Sequence, residues 1–419
     1  MIEFTGTQEH IISYVYEQFC LVYDSPNLSI DELKQICLLD FDVKIKLHKF
    51  QDWKPSTTFL YKDYRVPVFF EQNISGGLLQ IEGVIQFDVF LNSFLLLSGI
   101  QEWMFDDQDK HGRFLYKNSL QAKYDFVEVP VVNVYFELIQ EALKLKGHNC
   151  NYKSNHDKIV FTHDIDQIRS GWFDDTVFAF RKLSWKSPGL IVKSIITKIF
   201  GLQDSYYTGL LKMKTLDNKF SLNGINFLMA NKSHQDADYH LKTLKKLRVF
   251  DGETIGLHPG YGTHVNQKEF ASQFNQLKLL FPDYKSFVRQ HFLQYNVKLT
   301  PKIHEEQGVD EDYSLGFSEQ FGFRNAYAGP FQLYCFERNK AYQVIEIPLF
   351  FMDSTLINYM KDDSWETKLK VVAEVQKLRL NFNCSFSVLF HNSVFTHNKY
   401  NGFEAMYQKL AELSTTKIS

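Results

Sequence analysis

The sequence predicts an α/β protein of two parts: a smaller α/β or α+β domain over residues 1–150, then a (β/α)7 barrel over 151–419. Three observations carry that expectation. At 419 residues the chain exceeds what one ordinary core serves. The polar stretch "KGHNCNYKSNHDK" (146–158) separates two regions of different texture. Beyond it, short apolar runs alternate with amphipathic helices seven times over, the pattern of parallel strands closed into a barrel.

In the first region, helical patterns at 7–22, 85–103 and 131–145 mix with strand-like runs such as "TTFLYKDYRVPVFF". The most apolar stretch, "VFLNSFLLLSGI" (89–100), is interrupted by Asn92. It falls short of the roughly 20 residues a membrane span needs, so it reads as a buried helix. In the second region the strand candidates are 158–164, 225–230, 254–259, 286–291, 312–317, 343–350 and 385–392. Asn266 with Glu269 forms a capping box ahead of Phe270, Phe274, Leu277 and Phe281. Thr300 and Pro301 read as N-cap and first turn, with Gly308 as the stop. The helix after Asp363 carries Leu369, Val372 and Val375, and the last helix Phe403, Met406, Leu410 and Leu413.

Composition excludes some functions. A formal net charge of -3 argues against a polyanion-binding surface, so no nucleic acid is expected. Five scattered cysteines, odd in number and never in a CxxC pair, suggest neither a disulfide framework nor a zinc knuckle. The opening "MIEFTGTQEH" has no basic segment followed by an apolar one, and a cytoplasmic location is the expectation. The 39 Phe and 22 Tyr serve either a bulky core or stacking platforms for sugars.

Residues 160–166 read "VFTHDID", an imidazole and two carboxylates at the end of an apolar strand. The pattern recurs. Asp164 and Asp166, His258, Arg289 and His291, Asp312, and His391 with Asn392 all stand at or just past strand C-termini. On a β/α barrel that rim carries the active site. The chemistry such groups offer is divided labour: a bound divalent metal lowers the pKa of a water, and a carboxylate that is not a ligand takes its proton.

On "FTHDID", "IGLHPGYG", "FVRQHFL", "DEDYSLGFSEQFGFRNA", "EIPLFFMDSTL" and "VLFHN", the second region resembles the polysaccharide deacetylase family. It looks most like a branch in which an uncharacterised N-terminal domain, here with "DQDKHGRF" and "VEVPVVNVY", precedes the barrel. The resemblance implies a distorted (β/α)7 barrel of the glycoside hydrolase/deacetylase type with one divalent metal, zinc foremost. It implies Asp164 as general base, Asp166 and His258 as metal ligands, Arg289 as the group that orients the base, and His391 as general acid. The family's second ligand histidine falls on position 262, which is Gly. His291 is then the preferred third ligand; His264, which otherwise reads as an exposed loop histidine, is the other candidate. His163, Tyr261, His264, Arg324 and Asn392 are the expected substrate contacts, although Arg324 reads equally well as half of a surface ion pair.

The function this implies is hydrolysis of an acetyl group, N-acetyl foremost, from a sugar or glycan precursor. Two alternatives stand beside it: a metal-dependent hydrolase of another C–N bond, and a degenerate carbohydrate-binding barrel. One segment lies outside the motifs. "RKLSWKSPGLIVKSIITKIFG" (181–201) is amphipathic; it reads first as a helix packed on its own protein and second as a membrane-surface contact.

Overall fold

The structure, a computed structural model, describes residues 7–36, 53–69, 87–105, 107–153, 158–182, 189, 192, 196, 204–233, 236–396 and 400–416. The amphipathic segment expected over 181–201 lies almost wholly outside the described residues. The chain gathers into two compact units that interleave along the sequence. One comprises 1–158, 295–350 and 381–386, the other 159–294, 351–380 and 387–419. Sequence texture instead places a boundary at 150.

In the first unit the three expected helices form at Gln8–Val22, Val89–Leu97 and Val131–Leu145. Thr7 caps the first by accepting from the His10 N–H, and Asp88 caps the second by accepting from Leu91. Every residue of Val89–Leu97 is buried, as an all-round apolar helix of core length must be. The run "TTFLYKDYRVPVFF" makes an antiparallel hairpin, Thr57–Tyr61 with Tyr64–Val68. Its two turn residues, Lys62 and Asp63, take left-handed φ values of 47° and 67°, which matches the strand twist. Tyr14, Phe94 and Tyr334 pack edge to face at ring separations of 5.0–5.7 Å. Here too Ile345–Glu346 pairs in parallel with Glu311–Asp312.

Six strands belong to the second unit in whole or at their C-terminal ends: β1 (Lys158–Ile165), β2 (Ile225–Met229), β3 (Thr254–His258), β4 (Phe287–Val288), β5 (Leu349–Met352) and β6 (Ser385–His391). They lie in the order β4–β3–β2–β1–β6–β5. The architecture is mixed α/β on a parallel, curled half-barrel sheet. Registers are fixed by Asp164 opposite Phe227, Met229 opposite His258, and Leu257 opposite Val288. Parallel pairing brings the C-terminal ends of β1–β3 to one edge. Gly256 sits where a Cβ would meet the Phe227 ring at 2.6 Å, so only glycine lets that ring lie flat across β3.

Several local expectations shift. The strand expected over 286–291 shrinks to two residues, because the chain turns through positive φ at Phe292 (59°) and Leu293 (54°). Helix Gln267–Leu280 starts at the Asn266 cap as expected, and Gly308 ends helix Thr300–Gln307 in the left-handed conformation. Thr300 is inside that helix rather than capping it; its hydroxyl accepts from the Asn296 N–H. Helix Trp365–Asn381 buries Val375 as expected, with Val371 and Leu378 beside it, and leaves Leu369 exposed. No helix among the described residues is long and apolar enough to cross a membrane.

Candidate metal centre

Alternation along β1 turns Thr162, Asp164 and Asp166 to one side and His163 to the other. The side that carries the two aspartates faces the C-terminal ends of the neighbouring strands. Asp164 is buried and its Oδ2 lies 3.5 Å from His258 Nε2. Asp166 Oδ1 is 3.4 Å from the same nitrogen. The His258 ring is held from behind, since Nδ1 meets the Arg289 carbonyl and therefore carries the hydrogen. Nε2 is thereby turned to the two carboxylates. Burial opposes charge on this ring, but Asp164 and then Asp166 raise its pKa above the ordinary value.

Arg289 is fully buried beneath this pair. Its Nη2 donates to Thr162 Oγ1 at 2.7 Å, its guanidinium carbon lies 5.2 Å from the centre of the Phe227 ring, and Nε is 3.7 Å from Asp164 Oδ1. A cation so fixed offers Asp164 an opposite charge from behind and leaves the carboxylate turned to the pocket.

Asp166 is ringed by imidazoles. Besides His258, its Oδ2 lies 3.9 Å from His291 Nε2 and 3.7 Å from His391 Nε2. Burial alone would raise its pKa, but His258 first, then His291 and His391, hold it well below the usual carboxylate range. Ligand atoms of Asp166, His258 and His291 all fall within 4.8 Å of one another. Asp166 Oδ1 is buried with no hydrogen-bond partner. One carboxylate and two imidazoles around an orphaned oxygen make a donor set that fits a divalent cation.

On the opposite side, His391 donates its backbone N–H to Asp353 Oδ2 and shares a 2.7 Å hydrogen bond from Nδ1 to Oδ1. Burial works against charge here too; Asp353, then Asp166 and Asp164, outweigh it and push the ring up to about 10. A polar hollow of about 500 Å³ adjoins the centre, lined by Gln167, Ser170, Lys232, Ser233, Asp236 and His240 among others.

The structure thus brings together Asp164, Asp166, His258, Arg289, His291 and His391. Gly262 explains why the third ligand comes from elsewhere: its φ of 84° disfavours any side chain, histidine included. The other residues singled out in the sequence have partners of their own. His163 points to the far side of β1, where Nε2 is 3.1 Å from Asp217 and Tyr407 bonds the same carboxylate. Asn392 is a buried brace, its amide donating to the carbonyls of Gln167 and Tyr206. His264 is buried in a short turn, not an exposed loop histidine, and is outside the ligand trio. Arg324, in the first unit, is not on the surface. It is 2% exposed and forms a bidentate pair with Glu102 at 2.7 and 2.6 Å. Asp312, also of that unit, is buried against His304 Nδ1 at 2.7 Å. Tyr261 is half-buried, with its ring edge-on to Phe292. Two carboxylates escaped the sequence reading, Asp353 and Asp236. Asp353 ends β5 and obeys the same strand-end rule as the rest; Asp236 comes from a loop and carries no such signal.

Residues 2–148 match the model of a family of unknown function, DUF7033. No curated protein matches the sequence. Among solved structures, a candidate polysaccharide deacetylase from Mycobacterium smegmatis is similar at 16% identity and a TM-score of 0.36, over 62% of this chain and 85% of that one. A second, a candidate polysaccharide deacetylase involved in O-antigen biosynthesis from Bordetella bronchiseptica, is similar at 11% identity and a TM-score of 0.31, over 62% of this chain and 91% of that one. Scores of this size do not establish a shared topology, and what the centre can do follows from its own geometry.

Proposed function

We propose that the protein is a metal-dependent hydrolase that removes an acetyl group, N-acetyl foremost, from a sugar or glycan precursor. The observation that carries this reading is the division of labour between two neighbouring carboxylates. Asp166 is surrounded by imidazoles and available to a cation, whereas Asp164 is paired with buried Arg289 and free to act as a base. Asp166, His258 and His291 would hold the ion, zinc foremost. A divalent cation supplies Lewis acidity and brings the pKa of a coordinated water towards neutrality.

The remaining work belongs to the chain. Asp164 takes the proton of the attacking water, and Arg289, 3.7 Å away, keeps that carboxylate aimed. His391, charged through Asp353, stabilises the oxygen that becomes negative as the amide carbonyl is attacked, then gives its proton to the departing amine. The sugar lies in the polar hollow beside Gln167, with Tyr261 at its side. In this reading the sheet is the wall of a (β/α)7 barrel, residues 1–150 are an accessory domain, and the enzyme is cytoplasmic. The test is acetate release from N-acetylated amino-sugar oligomers by zinc-loaded protein. Asp164→Asn should abolish turnover while leaving zinc uptake intact. Turnover unaffected by that change would refute the assignment, and amide cleavage without acetate would favour another C–N bond.

A further inference from the structure

We infer that Asp236 is the positioning residue of the metal centre: it fixes the His291 imidazole with Nε2 turned to Asp166 and His258, and so sets metal affinity. This rests on the metal-centre reading above.

His291 is the unusual ligand, supplied from beyond β4 in place of a residue at 262, so something must hold its ring. On the side facing Asp166 stands Nε2, at 3.9 Å; Nδ1 instead lies 3.4 Å from Asp236 Oδ1, an ion-pair contact just short of a formed hydrogen bond. A ring that ligates through Nε2 carries its hydrogen on Nδ1, and a carboxylate there fixes both tautomer and orientation. Asp236 is itself immobilised by two loops. Oδ1 accepts from the Tyr261 N–H at 2.8 Å, and Oδ2 accepts from Ser233 Oγ at 2.8 Å. With both oxygens so engaged it is a support for a ligand rather than a ligand.

Two further features fit this role. A Cβ on Gly260 would lie 2.9 Å from Asp236 Oδ2 and 3.0 Å from its Cγ, so a glycine there admits the carboxylate. The turn that presents His291 is also strained: Phe292 and Leu293, neither a glycine, both take left-handed φ. Such conformations persist where the surroundings over-determine them. The surroundings here are stitches to the preceding loop. Gln290 Oε1 accepts from Thr263 Oγ1 at 3.0 Å, and Gln294 Oε1 accepts from the Gly262 N–H at 2.8 Å. Ser233 and Asp236, the loop 259–263 and the turn 290–294 are therefore tied together around one imidazole.

The test is Zn²⁺ affinity, by competition with a chelating dye, for wild type, Asp236→Ala, Asp236→Asn and Gly260→Ala, each with its metal-free melting curve. Asp236→Ala should weaken binding about 10–100-fold. Asp236→Asn, which keeps an acceptor oxygen, should lose less, and Gly260→Ala should weaken binding although Asp236 is still present. Metal-free melting should stay as in wild type, and the ¹⁵N spectrum of zinc-loaded wild type should place a hydrogen on His291 Nδ1. Wild-type affinity in Asp236→Ala overturns the inference, as does affinity that falls only in step with melting temperature. Should Asp236→Ala not fold, Asp236→Asn and Gly260→Ala decide. Wild type that takes up no zinc refutes the metal centre itself, a different result from intact uptake in all variants.

Discussion

Asp353 takes two hydrogen bonds from His391, one from its backbone N–H and one from Nδ1, each at 2.7 Å. The fully buried carboxylate therefore sets both where the ring points and how tightly it holds a proton. In the proposed mechanism His391 gives a proton, so turnover is expected to fall as pH rises through its pKa. Asp353 is the largest of the contributions that raise that pKa. Asp353→Asn should lower kcat by about 10²–10⁴ and move the alkaline limb of the rate profile to lower pH. A pH–rate profile of both proteins checks it; a slower enzyme with an unmoved limb would exclude His391 as the acid.

Metal content gives the second prediction. Asp166→Ala and His291→Ala each leave two of three ligands, and both should lower zinc from one per chain to a small fraction after dialysis. His264→Ala should retain zinc, because that side chain lies outside the trio. Elemental analysis of the three proteins separates these outcomes. Retention in His291→Ala with loss in His264→Ala would reverse the ligand assignment.

Arg324 and Glu102 make a buried bidentate pair in the first unit. Removing one partner of such a pair strands a charge away from water, at a cost of about 3–5 kcal/mol. Arg324→Met should therefore lower urea stability by that order, while Arg324→Met with Glu102→Leu recovers much of the loss. Substrate KM for the folded fraction should be unchanged. A raised KM with intact stability would instead restore Arg324 as a substrate contact.

What the sequence disclosed follows from how local each signal is. Asp164, Asp166, His258 and His391 could be read because a strand end is a local pattern, and strand ends meet on one rim once the pairing is parallel. The same rule reaches Asp353 at the end of β5. Strand alternation was the local signal for His163: neighbouring positions in a strand face opposite ways, which sets His163 on the Asp217 side of β1 and Asp164 on the other. Arg324 was not legible, since its partner Glu102 stands 222 residues away and neither position has a periodic signature. Asp236 was hidden for the same kind of reason. Its role depends on the path of three loops and on the space left at Gly260, and neither is written in any short motif.

Glu346 provides a pH test in the first unit. Burial raises its pKa well above the ordinary value and neighbouring Asp312 adds to this, while the Tyr295 hydroxyl and Arg324 work the other way. Tyr295 donates to Oε1 at 2.6 Å, and Oε2 is buried without a partner. The folded protein thus keeps a proton that the unfolded chain gives up above about pH 4.3. More protons on the folded side means that stability falls as pH rises. The contribution is full below the unfolded pKa and is lost as pH climbs through the folded one. Glu346→Gln keeps an acceptor for Tyr295 and carries no titration, so its stability should decline less with rising pH. Urea midpoints of both proteins between pH ~5 and ~8 measure the gap, which should move in favour of the variant as pH increases. Parallel curves would mean that Glu346 is ionised in the folded protein despite its burial, with Arg324 and Tyr295 together sufficient to hold its charge.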